Sequence, residues 1–172
     1  MVTIRAELSS DIAAREALLN QAFGVKRLRK TSEKLRAGRV PALAFSAIDE
    51  RGKVIGTIRL WNIIAGSAGQ SLLLGPIAVD AKHQKSGIGR ALMETAIFAA
   101  RDIGAESILL VGDEPYYSRF GFSASLTRSL HLPGPVERAR FLGLELEAEA
   151  LDGAEGMVMA SGALTESLAA AA

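Results

Sequence analysis

The chain has 172 residues, of which 49% are hydrophobic, and its 20 lysines and arginines nearly balance 19 aspartates and glutamates. This length is sufficient for one well-packed core, so we expect a single domain over residues 1–172. The small net charge provides no strong field for nucleic acid or acidic lipid, and neither is expected as a partner. Cysteine is absent, which excludes disulfides, thiolate metal sites and a cysteine nucleophile.

The sequence does not indicate metal or membrane binding. The two histidines, His83 and His131, are isolated from each other, so no metal site is expected. The N-terminus carries charges throughout, and no run approaches the roughly 18 apolar residues of a membrane span. We therefore expect a soluble, cytoplasmic protein.

The N-terminal part predicts a strand and then a helix. Residues 2–8, VTIRAEL, alternate as in a short strand, and Ser9 and Ser10 are candidate N-caps for a helix over 11–23 that ends at Gly24. The apolar positions of this helix recur at helical spacing and comprise Ile12, Leu18, Leu19, Ala22 and Phe23.

A basic run, KRLRK at residues 26–30, precedes a short helical candidate over 32–37. We interpret the run as a solvated face, and contact with an anionic ligand remains the alternative.

A meander of three strands is predicted next. Residues 42–49 and 54–64 form a β-hairpin, and residues 71–79, SLLLGPIAV, provide the third strand. Gly75 and Pro76 interrupt this strand, and since proline cannot donate to a ladder we expect a bulge or a locally splayed edge.

A parallel crossover follows the meander. A broad apolar stripe predicts a helix from residue 88 that ends at Gly104, and SILLV at 107–111 follows as a buried strand. Further strands are predicted around 141–149 and 156–162, and residues 167–172 are expected to fray. The stripe comprises Ile88, Leu92, Met93, Ala96, Ala99, Ala100 and Ile103.

The turn into the crossover helix contains two glycines, Gly87 and Gly89. A helix N-terminus presents unpaired N–H groups and partial positive charge, and glycine lets an anion such as phosphate approach the backbone. The chain contains no Walker pattern. A dinucleotide fingerprint fits poorly, because Leu92 replaces the third glycine and residues 80–86 separate the strand from the first glycine.

The segment resembles the acyl-CoA signature of the GNAT superfamily of N-acetyltransferases, Q/R-x-x-G-x-G/A, which QKSGIG at 84–89 matches. The YYSRFGF segment at 116–122 resembles the family's tyrosine segment after the next strand. The resemblance covers residues 1 to about 125, leaving about 125–165 as a variable C-terminal part of the same domain. LLLGPIAV, VGDEPYYSRFGF and LPGPVE are similar to the YhbS-like group. The resemblance implies a mixed α+β GNAT-like fold, with a mostly antiparallel central sheet, one parallel splayed strand pair and flanking helices.

The resemblance also implies acetyl-CoA as acyl donor, without a metal. The strand residues Ile77, Ala78 and Val79 would offer backbone groups to the pantetheine arm. The pyrophosphate would be bound mainly by main-chain N–H groups of Gln84, Lys85, Ser86, Gly87, Ile88, Gly89 and Arg90.

The implied activity is acetyl transfer to a primary amine by direct attack in a ternary complex. Val79 would polarise the thioester carbonyl through its N–H, and Tyr117 would act as general acid, unless it is only a packed aromatic beside Tyr116 and Phe120. Asp113 is interpreted as the N-cap of a short helix with Pro115 in its first turn. The base remains open between a water chain and Glu114.

The acceptor is left open as a small-molecule or peptide amine. Arg59 and Trp61 share a strand face with Thr57 and are candidates for the acceptor cleft, with buried packing as the alternative for Trp61. An acyl-CoA-binding sensor or interaction module without catalysis is the alternative function. A monomer and a homodimer are both compatible with the sequence.

Overall fold

The computed structural model describes residues 1–165, so the predicted frayed tail at 167–172 lies outside the described residues. Three α-helices occur in this range: α1 Ile12–Phe23, α2 Ile88–Asp102 and α3 Glu114–Tyr117. The strands are β1 Thr3–Ala6, β2 Leu43–Ile48, β3 Val54–Ala65, β4 Gln70–Val79, β5 Ser107–Val111, β6 Ser129–His131, β7 Phe141–Glu145 and β8 Glu155–Ala160.

The sheet is mostly antiparallel, as predicted. Its main order is β1-β2-β3-β4-β5-β7, and β8 pairs with β3 and with the short β6, which the sequence did not predict. Strands β4 and β5 run parallel across the α2 crossover. This arrangement confirms the predicted fold class and rules out the doubly wound sheet that a dinucleotide-binding fold requires.

Strands β4 and β5 separate partway along their length. Their parallel pairing is confined to Leu72 with Ile108 and Leu73 with Leu109. On the other side of β4, the register with β3 shifts between Ile58 and Leu60, beside the Gly75–Pro76 interruption. The predicted irregularity is therefore present, and it opens a gap between the two strands.

The core occupies both faces of the sheet. Leu72 and Leu74 pack with the α2 residues Leu92 and Met93, whereas Leu73 belongs to a cluster on the other face with Trp61. This alternation is the period of a strand that is buried on both sides. The predicted stripe of α2 holds except at Ile103, which is 55% exposed because the helix has already ended at Asp102.

The start of α1 differs from the prediction. Neither Ser9 nor Ser10 caps the helix, and both lie in a 3₁₀ turn, Ser9–Asp11. The Asp11 carboxylate accepts the N–H of Leu8 at 2.9 Å instead. Ile12 and Phe23 are exposed, so Leu18 and Leu19 carry the packing of the helix, and they pack with Ala78.

Candidate functional site

The turn between β4 and α2 is held by local bonds. Asp80 accepts the N–H of Lys82 at 2.9 Å, and the hydroxyl of Ser86 donates to the carbonyl of His83. Lys85 (φ 62°) and Gly87 (φ 86°) both adopt the left-handed conformation, which tightens the chain before the helix begins at Ile88.

Residues 84–90, which we call the 84–90 turn, have backbone N–H groups that are not hydrogen-bonded within residues 1–165. The first helical bond is made by Ala91 to Gly87. Adjacent unpaired N–H groups at the positive end of the 15-residue helix α2 are suited to accept an anion. The geometry therefore agrees with the phosphate role predicted for this segment.

The side chains of the 84–90 turn leave room above its backbone. Ile88 is buried in the core, whereas Gln84 and Lys85 point to solvent and Arg90 pairs with Glu94 at 2.7 Å. A Cβ placed on Gly89 would lie 3.5 Å from the Tyr116 hydroxyl and 3.8 Å from Cγ2 of Val79. The Val79 side chain therefore lies beside the 84–90 turn.

Tyr116 was not predicted as a site residue, yet its hydroxyl lies beside the 84–90 turn. Its ring is perpendicular to that of Tyr117, with centroids 4.9 Å apart, and the guanidinium of Arg119 lies 4.8 Å above it. The sequence indicated Tyr116 only through its position next to Tyr117. Adjacency along the chain does not show which of the two rings reaches the 84–90 turn.

The backbone of β4 faces the gap at alternate residues. Asp80 donates its N–H to the Ile55 carbonyl in β3 at 2.8 Å, and Gly56 pairs with Val79 in the adjacent position. Because bonded and non-bonded pairs alternate in an antiparallel ladder, the N–H of Val79 points away from β3, as does that of Ile77. The backbone of Ala78 is directed at Thr57 in β3.

A cavity of about 820 Å³ lies where β4 and β5 separate. Its walls come from residues 73–77 of β4, residues 110–113 at and just beyond the end of β5, the 3₁₀ segments within 25–36, and the loop 135–140. Tyr117 and Ile77 line the cavity, whereas the 84–90 turn does not. The predicted site residues are therefore divided: Tyr117 and Ile77 line the cavity, and residues 84–90 form the turn that follows β4.

Tyr117 lines this cavity in a partly buried position. Burial raises the pKa of its hydroxyl to about 12, and Tyr116 and Asp113 add to the increase while Arg140 opposes it. The ring also packs edge-on against Phe122, 6.2 Å between centroids. Packing and access to the cavity coexist at this residue, so the two predicted roles are compatible.

The two acidic side chains upstream of Tyr117, Asp113 and Glu114, make other contacts than the sequence predicted. The Asp113 carboxylate pairs with Arg140 and makes no side-chain cap, although the Asp113 carbonyl accepts the N–H groups of Tyr116 and Tyr117. Glu114, a candidate base, accepts the N–H of Ala124 at 2.6 Å. This bond holds the carboxylate against the backbone after α3, and Glu114 is not among the residues that line the cavity.

The basic run is not a uniformly solvated face. It forms a 3₁₀ helix, Val25–Arg29, in which Arg27 is buried and bonds Glu16 and, at 3.1 Å, Asn20. The segment over 32–37 is also mainly a 3₁₀ helix, Thr31–Leu35, rather than an α-helix. The solvated interpretation therefore fails for Arg27.

Arg59 and Trp61 do not line the cavity. The indole N–H of Trp61 donates to the Gly75 carbonyl at 2.6 Å and the ring is buried, which confirms the packing alternative. Arg59 bonds Glu7 at 3.0 Å and lies 5.1 Å from the centre of the Trp61 ring. Thr57 is fully buried.

Known proteins resemble this chain along most of its length. A model of the acetyltransferase (GNAT) domain matches residues 41–124. The uncharacterized N-acetyltransferase YhbS of Escherichia coli K12 is 30% identical over 156 residues, which are 90% of this chain and 93% of that protein.

Two solved structures extend the comparison. E. coli YhbS in complex with CoA superposes with a TM-score of 0.79 at 28% identity, covering 93% of this chain and 89% of that one. A GNAT family acetyltransferase from Brucella melitensis in complex with acetyl-CoA gives 0.69 at 28% identity, covering 94% and 96%.

Fold, site and relatives define the class of protein as an acyltransferase, which confirms the predicted enzyme type. The chain belongs to the GNAT family of N-acetyltransferases, and the similarity to YhbS confirms the group that the sequence indicated.

Within residues 1–165, no three His, Asp or Glu side chains come together in a group that could hold a metal ion. In the same range, no helix has the length and apolar character needed to cross a membrane.

Proposed function

We propose that the protein transfers an acetyl group from acetyl-CoA to a primary amine by direct attack in a ternary complex. The observation that carries this proposal is the run of unpaired N–H groups at residues 84–90, placed at one end of the gap between β4 and β5. The relatives crystallised with CoA and acetyl-CoA support the same donor for this chain.

The donor is held by backbone groups in this proposal. Its pyrophosphate accepts N–H groups from Gln84, Lys85, Ser86, Gly87, Ile88, Gly89 and Arg90, as the predicted set requires. Its pantetheine arm lies along β4, where Ile77 and Val79 direct N–H groups into the gap. The backbone of Ala78 is turned towards β3, so its contribution is a supporting one.

The chemistry needs a neutral amine, a polarised carbonyl and a proton for the leaving group. The amine nitrogen attacks the thioester carbon while the N–H of Val79 stabilises the charge that develops on the carbonyl oxygen. The C–S bond then breaks, and Tyr117 gives its proton to the thiolate. The proton lost by the amine passes to solvent, since Glu114 is held elsewhere.

Release of free thiol from acetyl-CoA across a panel of amines tests the proposal. Amine-dependent thiol release and an acetylated product are expected, together with a rise in melting temperature on adding CoA. Tight CoA binding with no thiol release from any amine would instead indicate the acyl-CoA sensor.

A further inference from the structure

The cavity at the point where β4 and β5 begin to separate is rich in cations. Five arginine and lysine side chains from three segments of the chain line it, but only two carboxylates do, Asp113 and Glu137. The cationic residues are Arg27, Arg29, Lys30, Arg36 and Arg140. The whole chain carries a formal charge of only +1, so this concentration is local.

Three of these cations are fixed by carboxylates. Arg27 bonds Glu16, Arg140 bonds Asp113, and Nε of Arg36 donates to Glu33 at 2.7 Å. The buried pairing of Arg27 anchors the 3₁₀ helix Val25–Arg29 at the cavity. The anchored segment therefore fixes the backbone of the neighbouring residues Arg29 and Lys30, whose side chains are exposed.

Arg29 and Lys30 have no carboxylate partner within residues 1–165. Lys30 lies 4.7 Å from the centre of the Phe23 ring, which carries no charge. Desolvation lowers the pKa of Lys30, and the positive charges of Arg36 and Arg140 lower it further. Like charges thus meet across the cavity, a situation that an anion between them would relieve.

Arg36 brings a further cation to the point where the strands separate. Its side chain is only 8% exposed, and Nη1 lies 3.5 Å from the position of a Cβ built on Gly75. Glu33 bonds Nε, so the Nη groups remain as donors towards the cavity. A buried guanidinium with free donors is a strong partner for carboxylate or phosphate.

We propose that the acceptor is an amine that also carries an anionic group, a carboxylate or a phosphate. The anion lies among Arg29, Lys30 and Arg36, and the amine extends to the gap between β4 and β5. This inference rests on the proposed function. The phosphates of the donor are unsuitable occupants, because the 84–90 turn lies outside the walls of this cavity.

Matched amines test the proposal. Thiol release is measured with alanine against alaninamide, and with phosphoethanolamine against ethanolamine, so that carboxylate and phosphate are distinguished. We expect at least one anionic member to exceed its neutral partner in kcat/KM by about tenfold or more, the difference that one charge-assisted contact produces. In the presence of CoA, the same anionic amine should raise the melting temperature more than its neutral partner does.

Variants assign this selectivity to residues. Arg29→Gln and Lys30→Gln should each raise the KM of the anionic acceptor about tenfold and leave CoA affinity unchanged. Lys26→Gln, in the same basic run but outside the cavity walls, is the control and should change neither. Activity that is equal or greater with the neutral amines overturns this proposal while the proposed function stands.

Two further outcomes would also overturn the proposal. Loss of CoA affinity in Arg29→Gln or Lys30→Gln would mean that these cations serve the nucleotide, which also overturns the proposal. If no amine releases thiol and the anionic amines give no larger thermal shift than the neutral ones, both the acceptor class and the transferase activity are refuted.

Discussion

The ring of Tyr117 lies directly on the backbone of Gly112. A Cβ at residue 112 would come within 2.3 Å of Cε2 and 2.9 Å of Cδ2 of that ring, closer than any real contact. The absence of a side chain at Gly112 therefore allows Tyr117 to occupy this position at the end of β5, from which it lines the cavity.

Gly112→Ala should displace the Tyr117 ring and lower kcat about tenfold to a hundredfold, because a shift of about 1 Å in a catalytic group has costs of that size. Steady-state kinetics and a melting curve measure the effect. The double variant with Tyr117→Phe is the control. If Gly112 acts through the tyrosine hydroxyl, the two losses will not multiply, and full multiplication would refute this relationship.

Tyr117→Phe removes a hydroxyl and keeps the ring, so CoA affinity and stability should change little. Turnover should fall by about 10² to 10⁴, the usual contribution of a general acid, provided that chemistry limits the rate. Tyr116→Phe is the matched control, since its hydroxyl lies at the 84–90 turn, and it should affect CoA affinity more than kcat. Unchanged turnover in Tyr117→Phe, with chemistry limiting, would reduce this residue to a packed aromatic.

The pH profile should lack an alkaline limb from Tyr117. Its pKa is raised from 10.0 to about 12, so the protonated form, which donates the proton, persists throughout the range below pH 10. The rate should therefore rise with pH as the acceptor amine loses its proton, without a decline by pH 10. Rates with a saturating acceptor between pH 6 and 10 measure this. A decline near pH 9 that vanishes in Tyr117→Phe would contradict it.

Gly89→Asp should abolish the stabilisation by CoA, because it places a carboxylate at the 84–90 turn, where it would repel the phosphates. In the parent, CoA at a hundredfold its Kd should stabilise the fold by about 2.7 kcal/mol, or roughly 5 to 11 °C in Tm. Gly89→Ala is the control, since its Cβ meets Tyr116 at an ordinary contact distance of 3.5 Å. A melting temperature that responds to NAD and not to CoA would refute the proposed ligand.

Asp11→Asn should destabilise the fold at neutral pH. The carboxylate accepts Arg5 at 2.7 Å and Ser46 at 3.0 Å, and chiefly the bond to Arg5 holds its pKa well below the ordinary value. A lowered carboxyl pKa stabilises the folded state above the unfolded pKa of about 4, and this contribution is lost as the pH falls.

We expect Asp11→Asn to cost about 3 kcal/mol at pH 7, measured by chemical unfolding, and less at pH 3. The exposed Asp152→Asn is the control and should cost little at either pH. A loss at pH 3 as large as that at pH 7 would contradict the assigned role of the charge.

The sequence determined the order of the main elements and the position of the 84–90 turn, because both depend on local patterns. Apolar periodicity placed α2, and two apolar runs separated by the turn at 50–53 placed the β2–β3 hairpin. The Gly75–Pro76 pair located the irregularity in β4, since a proline cannot donate to a ladder whatever the fold around it. Gly87 and Gly89 marked the turn for an equally local reason.

The cavity and its charges were decided only by the tertiary structure. The run at 26–30 contains buried, paired and unpaired cations side by side, and only the distant chain segments that fold against it determine which is which. The partners of Glu114 and Asp113 likewise depend on segments after α3, which bring Ala124 and Arg140 to them. Hydrogen bonds between residues remote in sequence depend on how the chain packs, and a linear pattern does not contain that information.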